Sequence, residues 1–314
     1  MNINYIKKLM DRKKTSRKGE NGSLLIIGGS EENVGSVTLA GLAALRAGCD
    51  IVTIAAPEKI AWAINAQSPD LITKKIKAQF TVKLAKEMVK RTDHFDAILI
   101  GNGITSKADK FCQYFIKKSQ KLKIIDSDPL KSLTFKDFGN SIVTPNEEEL
   151  EKMLINGNKE FLLPKLRESS AKEKAEILQG NLRYFLQNDN VLLLKGSTDL
   201  IISKNRISYN RTGNQGMTKT GTGDVLAGIV AGFLAMTGDL FKSAVAGSYI
   251  NGMVGDELLK KKRGYNFIAS DIVLDLERLN LSSKKTLKGA PKSAKAKAKA
   301  PVKLKISSKK SKRK

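Results

Sequence analysis

The sequence predicts an α/β fold: a mostly parallel central sheet flanked by helices on both faces. Three observations carry this. Short apolar runs alternate with longer helical patterns. The runs are near-continuously apolar, as strands buried on both faces are. Glycine, asparagine, aspartate and lysine gather just after those runs, at the carboxyl ends of the strands, where open parallel sheets bind ligands.

The first predicted strand is SLLIIG (Ser23–Gly28), followed by the helix SVTLAGLAALRAG (Ser36–Gly48), closed by glycine. Further strands are predicted at DIVTIAAP, DAILIG (Asp96–Gly101), KLKIIDSD (Lys121–Asp128), SIVTPN (Ser141–Asn146) and NVLLLKG (Asn190–Gly196). Helical patterns lie between most of them, at Val82–Lys90, Lys107–Lys118, Glu147–Leu154 and Ala171–Gln187. After Asn210 three apolar helices are predicted: Gly223–Met236, Leu240–Leu259 and Ala269–Leu279. The first carries Val225, Leu226, Ile229, Val230, Phe233 and Leu234 at helical spacing. It is apolar nearly all round, which predicts deep burial.

Composition bounds the function. The chain has 314 residues, 41% of them apolar, enough for a substantial core. Its net charge is +25, but 14 Lys or Arg and no acid fall between Ser282 and Lys314, leaving only +11 elsewhere. Residues 1–281 are therefore expected to form one moderately basic domain. Residues 282–314, low in complexity and free of aromatics, are expected to be a disordered tail. Cys49 and Cys112 form no CxxC pair, and His94 is the single histidine, which argues against a structural zinc cluster. No apolar run reaches the roughly 20 residues of a membrane span, and MNINYIKKLMDRKK lacks the apolar core of a signal peptide. A cytoplasmic location is expected.

Two common nucleotide fingerprints are absent. GGSEENVG does not have G-x-G-x-x-G spacing, and GNQGMTKT misses the P-loop register. TGTGD, from Thr220 to Asp224, is more informative. Gly221 and Gly223 free the backbone so that successive N–H groups can converge on one point. That point is the start of an apolar helix, which carries about half a positive charge. The combination suits phosphate. Asp224 at its lip would repel the phosphate, which is costly unless the carboxylate works as a general base on an attacking hydroxyl. The alternative is that Thr222 or Asp224 simply caps the helix.

TPNEEEL also has two readings. Asn146 with Glu149 three residues on has capping-box spacing. Functionally, Glu149 could orient water around a magnesium ion and Asn146 could face a substrate. Lys195 either snorkels from its strand end to solvent or meets a phosphate.

These segments together carry a family resemblance. GTGDVLAGIVAGFLA resembles the nucleotide-site signature of the ribokinase-like superfamily. LLIIGGSEENVGSVTLAGLAALRAGCDIVTIAAP, AILIGNGI, IIDSDPL, IVTPNEEEL and VLLLKGSTDLIIS, in that order, are similar to the ADP-dependent NAD(P)H-hydrate dehydratases. The resemblance spans about residues 18–280. It implies a ribokinase-like domain that restores hydrated NADH or NADPH at the expense of ADP or ATP, with Mg2+.

It also implies roles. Asp224 falls on the aspartate that meets the substrate hydroxyl and Gly223 on the nucleotide-site glycine, flanked by Gly221 and Thr222. Lys195, Gly196, Ser197, Thr198 and Asp199 fall on a nucleotide-binding stretch. Ser36, Gly103 and Asn146 fall on the hydrated-nicotinamide pocket. The chain departs from the family pattern with TPN for TPH, GNG for GPG, and Asn33-Val34-Gly35-Ser36-Val37 for tyrosine-x-Gly-Ala-Pro.

A separate epimerase protein is the expected functional partner, because the dehydratase is often fused to an N-terminal epimerase domain. A homo-oligomer is expected. Two rival functions are a ribokinase-like kinase of a small vitamin-like alcohol and non-specific nucleic-acid binding through the basic tail.

Overall fold

The computed structural model describes residue 6 and residues 11–77, 79–262 and 264–278. The tail at 282–314, its expected disorder and its polyanion contact lie outside the described residues. So does Leu279, the expected end of the last helix.

Nine strands are found among the described residues: β1 (Ser23–Ile27), β2 (Ile51–Pro57), β3 (Ile72–Ile76), β4 (Ala97–Ile100), β5 (Leu122–Ile125), β6 (Ser141–Val143), β7 (Val191–Leu194), β8 (Asp199–Ile202) and β9 (Ile207–Asn210). They form one sheet in the order β3-β2-β1-β4-β5-β6-β7-β8-β9. Pairing is parallel from β3 through β7, while β8 and β9 add an antiparallel hairpin at one edge. The strand order reverses direction between β1 and β4, which are hydrogen-bonded neighbours. That is the topological switch point, where the connections diverge and leave a crevice at the carboxyl ends.

The helices are α1 (Val34–Ala47), α2 (Glu58–Gln67), α3 (Val82–Val89), α4 (Asp109–Lys118), α5 (Pro129–Ser132), α6 (Glu147–Asn156), α7 (Leu163–Glu168), α8 (Ala171–Asn181), α9 (Arg183–Gln187), α10 (Thr222–Thr237), α11 (Leu240–Lys262) and α12 (Ala269–Asp275). They cover both faces of the sheet, and the strand pleat divides the core accordingly. Leu25 and Ile27 join Ile98, Ile100 and Ile125 on one face, packed on Phe111, Phe115 and Leu150. Leu24 and Ile26 join Leu99 and Ile124 on the other, packed on Val37 and Ala40 of α1 and Leu226 and Val230 of α10. Each side chain buried this fully contributes about 1.5–3 kcal/mol before entropy is counted.

The opposite side of α10 is also covered. Val225, Ile229 and Phe233 pack with Ile250 of α11 and Phe267. A helix sandwiched between sheet and outer helices needs apolar residues all round, as its sequence predicts. None of the described helices is long and apolar enough to cross a membrane.

Several boundaries differ from the sequence reading. The first helix starts at Val34, two residues early, and Gly48 closes it in the left-handed region at φ 116°. The predicted helix Ala171–Gln187 is two helices, broken at Leu182 (φ −104°, ψ 25°). Gly180 and Asn181, both poor helix formers, immediately precede the break. The predicted Lys107–Lys118 helix starts as a 3-10 turn at Ser106–Ala108. The last helix likewise tightens to 3-10 at Leu276–Arg278. Strands β3, β8 and β9 were not among the predicted elements.

Candidate active site

Four chain segments converge beyond the carboxyl ends of the central strands. The first is the N-terminus of α10. Gly221 occupies its N-cap in the left-handed region (φ 89°), and no side chain caps the helix. The Thr222 hydroxyl donates instead to the carbonyls of Met217 and Lys219, fixing the preceding turn. Asp224 is equally uninvolved in capping; its carboxylate Oδ1 accepts from Asn102 Nδ2 at 2.7 Å. Thr222 N donates back to the Lys219 carbonyl at 3.3 Å, which leaves the Gly223 and Asp224 amides without a side-chain cap at the helix terminus, with a carboxylate beside them.

The second segment follows β4. Gly101 turns the chain at φ 127°, where an added Cβ would sit 1.9 Å from the Asp126 carbonyl oxygen. Only glycine fits that approach. Asn102 comes next, fully buried. Gly103 lies against the β1 loop, where a Cβ would meet the Asn33 carbonyl oxygen at 2.6 Å.

The third segment follows β5. Asp126 is 2% exposed and is saturated with donors. Thr144 Oγ1 donates to its Oδ1 at 2.7 Å, and Asn102 Nδ2 and Ser127 Oγ donate to its Oδ2 at 3.0 and 3.2 Å.

The fourth is the end of β7. Lys195 Nζ lies 3.0 Å from Asp126 Oδ1 and 3.6 Å from Glu149 Oε2. A Cβ built on Gly223 would come within 3.8 Å of the same Nζ, so the ammonium faces the start of α10. Lys195 neither snorkels into solvent nor stands alone awaiting an anion; it is ion-paired inside the site. Burial works against its charge, but Asp126 and then Glu149 outweigh this and hold the ammonium above its ordinary range.

Asp224 has a shifted affinity for protons. Burial pushes its carboxyl up to about 6, Asp126 adds to the rise, and the hydrogen bonds from Asn102 and Ser36 and the Lys195 charge restrain it. A carboxylate poised near neutrality is suited to accept a proton from an alcohol. The arrangement can thus bind an anionic group at a helix terminus, balance it with one lysine, and deprotonate a hydroxyl beside it.

The remaining residues expected in the site are placed as follows. Ser36 reaches Asp224. Asn146 is exposed, and its side chain accepts from Glu149 N at 2.8 Å, while Glu149 Oε2 accepts from Asn146 N at 2.9 Å. That is a complete capping box for α6, so the spacing serves structure. Glu149 nevertheless also reaches Lys195, and both contacts use Oε2. Gly196, Ser197 and Thr198 form the turn between β7 and β8. Asp199 points inward: its carboxylate accepts from Gly196 N at 3.1 Å, Asn210 Nδ2 at 3.3 Å and Ser248 Oγ at 2.6 Å. It holds the turn.

Asn102 and Asp126 are central to the geometry and were marked in the sequence only as strand-end residues. His94 is exposed. Cys49 and Cys112 are buried free thiols; burial pushes both upward, Cys49 to about 11, so neither is a nucleophile at neutral pH. Among the described residues no group of three or more His, Cys, Asp or Glu side chains is arranged to hold a metal ion.

Known proteins share this architecture and sequence. The NAD(P)H-hydrate dehydratase family model matches residues 24–277. A bifunctional NAD(P)H-hydrate repair enzyme of Methanothermobacter thermautotrophicus is 35% identical over 281 residues, which cover 85% of this chain and 51% of that protein. The chain thus spans about half the length of the bifunctional relatives it matches. An ADP-dependent (S)-NAD(P)H-hydrate dehydratase of Cenarchaeum symbiosum is 31% identical over 271 residues, covering 83% of this chain and 89% of that one. Among solved structures, the ADP/ATP-dependent NAD(P)H-hydrate dehydratase of Bacillus subtilis, co-crystallised with ATP and Mg2+, superposes with a TM-score of 0.70 at 25% identity, covering 88% and 96% of the two chains. On sequence and fold together, this chain belongs to the NAD(P)H-hydrate dehydratase family.

Proposed function

We propose that the chain repairs hydrated NADH or NADPH by dehydration at the expense of ADP or ATP. The observation that carries this reading is the placement of Asp224. It is a half-buried carboxylate with a raised affinity for protons, beside an uncapped helix N-terminus and an ion-paired lysine.

The chemistry follows from the substrate. Water added to the dihydronicotinamide ring leaves a hydroxyl, and hydroxide is a poor leaving group whose conjugate acid has a pKa of about 15.7. Asp224 takes the hydroxyl proton as the oxygen attacks the terminal phosphorus of the nucleotide. The bond to the bridging oxygen breaks, releasing AMP from ADP, or ADP from ATP. The phosphate now on the ring has a last pKa of about 6 and leaves readily. The ring nitrogen lone pair expels it, the neighbouring ring carbon gives up a proton, and the double bond returns.

The backbone amides around Gly221 and Gly223 would receive the phosphoryl oxygens. Lys195 supports this reading by balancing the carboxylates around the entering phosphate, and Gly196, Ser197 and Thr198 by forming a turn that Asp199 holds in place. Ser36 and Gly103 lie where the hydrated ring would meet Asp224. The exposed backbone around Asn146 would border it.

Magnesium fits as an ion carried mainly by the nucleotide. It keeps several waters and few protein ligands, and Glu149 would hold it through water. When bound it neutralises phosphoryl charge.

The test is direct. Hydrated NADH and ADP are incubated with the protein and the reduced-nicotinamide absorbance is followed. Recovery that needs ADP or ATP supports the reading. Phosphorylation of a small alcohol without such recovery would transfer the site to a kinase.

The second activity of the bifunctional relatives is assigned in this reading to an epimerase protein acting alongside. A non-specific polyanion contact through residues 282–314 is also proposed, on their 14 basic side chains alone. Loss of DNA retention on deleting them, with turnover unchanged, would support it.

A further inference from the structure

A cleft of about 760 Å³ opens at the carboxyl ends of β1 to β4. Its size falls within the roughly 300–1,000 Å³ of small-molecule sites. Two of its walls are loops that also serve the site already described. The β1 loop contributes Gly29 and runs on to Ser36, and the β4 loop contributes Ile104 and carries Asn102 and Gly103. Gly29 N donates to the Asn102 carbonyl at 2.9 Å, and a Cβ built on Gly103 would stand 3.2 Å from Gly29 Cα. The cleft thus begins where the loops beside Asp224 meet.

Its far wall is aromatic. Trp62 on α2, the single tryptophan of the chain, lines it and is 60% exposed. Lys75 Nζ stands 4.0 Å from the indole centroid, and Thr73 Oγ1 and Asn65 Oδ1 accept from that ammonium at 3.1 and 3.3 Å. A cation anchored over one face steadies the ring, and the exposed remainder is a flat apolar surface. The charges are balanced: Glu31, Glu32 and Glu58 line the cleft, and so do Lys59, Lys77 and Lys107. Glu31 pairs with Lys59 at 3.5 Å, whereas Lys77 and Lys107 join no ion pair among the described residues.

We propose that this cleft receives the adenylate half of the hydrated dinucleotide, with the adenine stacked on Trp62 and the pyrophosphate beside Lys77 and Lys107. The inference rests on the dehydratase reading of the site. The ring nitrogen of the substrate is glycosylated, so the rest of the molecule must extend away from the reacting ring. In that reading the side toward β7 and α10 holds the phosphoryl donor. The side toward β1 to β4 remains, and there the fold supplies an accessible aromatic face and two cations. Stacking suits adenine because the contact is made through the face of the base and needs no buried hydrogen-bond partner. Binding energy gathered at this distance from the ring can still be spent on turnover.

The experiment compares hydrated NADH with the hydrate of reduced nicotinamide mononucleotide, which lacks the adenylate half. Both are followed by the return of reduced-nicotinamide absorbance in the presence of ATP. The wild-type protein is expected to favour the dinucleotide by about tenfold or more in kcat/KM. In Trp62→Ala, kcat/KM for hydrated NADH is expected to fall about tenfold. The value for the mononucleotide is expected to stay within about twofold, because it does not reach Trp62. A general loss of folding or of chemistry would lower both substrates alike and leave their ratio unmoved.

A preference that the substitution leaves unchanged, or no preference in wild type, overturns the inference while the dehydratase reading stands. Failure of wild type to restore either hydrate overturns the dehydratase reading, and the inference falls with it. Should Trp62→Ala not fold, Trp62→Phe, which keeps a smaller ring, is read by the same ratio. A preference lowered about threefold supports the inference, and an unchanged one sinks it.

Discussion

Lys195 Nζ and Asp126 Oδ1 lie 3.0 Å apart at the carboxyl end of the sheet, with the Asp126 side chain 2% exposed. The pair joins residues that immediately follow two strands, β5 and β7, that are not adjacent in the sheet. Removing one member of such a pair strands the other, which typically costs about 3–5 kcal/mol.

Lys195→Met is therefore expected to lower the melting temperature and to damage catalysis in a specific way. The Lys195 charge restrains the Asp224 carboxyl, whose pKa burial has raised. Without it that carboxyl rises further, so the acid limb of kcat/KM against pH moves upward. The profile of the variant against wild type checks this, and an unmoved limb would remove Lys195 from the electrostatics of the base.

Asp224→Asn separates catalysis from stability. General-base work is commonly worth about 10²–10⁴ in rate, and a loss of that order in kcat is expected, with nucleotide affinity nearly unchanged. Stability is expected to move the other way. The folded carboxyl sits at about 6, above its ordinary value of 3.8. The folded state thus binds more protons between these values, and stability falls as pH rises through the window. Above it, the native fold carries the full penalty of a buried charge, and the amide relieves it. The variant is expected to melt higher than wild type at pH 7 and to lose the difference near pH 4. A lower melting temperature at both pH values would instead return Asp224 to a structural role.

Asp199 acts from behind on the turn between β7 and β8, where the proposed function places the nucleotide. Its oxygens bind Gly196 N on one side and Ser248 Oγ and Asn210 Nδ2 on the other. Asp199→Ala is expected to raise the KM for nucleotide about tenfold, the loss of one to two hydrogen bonds, with kcat within a factor of about two to three. Asp199→Asn keeps an acceptor for Gly196 and is expected to fall between. A change confined to kcat would place Asp199 in the chemistry rather than behind it.

How much of this was legible in sequence depends on whether the signal is local. β1, β4 and β7 announce themselves as apolar runs because both their faces are buried. β3 does not: its ITKKI is an edge strand, with Ile72 half-exposed and lysines that discourage further pairing. β8 (DLII) follows β7 after a turn of only four residues, and β9 (ISYN) mixes polar and apolar residues, so neither stands out as a separate apolar run. Within the site, TGTGD holds the glycine N-cap and the first-turn carboxylate of α10 in five consecutive residues, so its place at the helix start was readable. Asn102 meets Asp224 across 122 positions of chain, and no local pattern records that meeting. Asn146 and Glu149 had one spacing and two meanings, and the capping box accounts for that spacing although Glu149 also reaches Lys195.

The final prediction concerns a lysine remote from catalysis. Lys123 is 1% exposed, and its Nζ donates to the carbonyls of Ser119 and Lys121, each at 2.8 Å. Ser119 closes α4, so the ammonium completes a helix C-terminus, where carbonyls lack partners and the dipole favours a cation. Burial pulls its pKa down from 10.5 to about 8. The folded value lies below the unfolded one, so between them the unfolded chain binds more protons and stability rises with pH. One such group gives a slope of at most about 1.4 kcal/mol per pH unit. Lys123→Met removes this contribution while filling similar volume. The melting temperature of wild type minus that of the variant is expected to be flat below pH 8 and to climb from pH 8 to 10. Other lysines and tyrosines titrate in both proteins and cancel in the difference. A difference that stayed flat across that window would mean that the Lys123 ammonium titrates in the fold as it does in the unfolded chain.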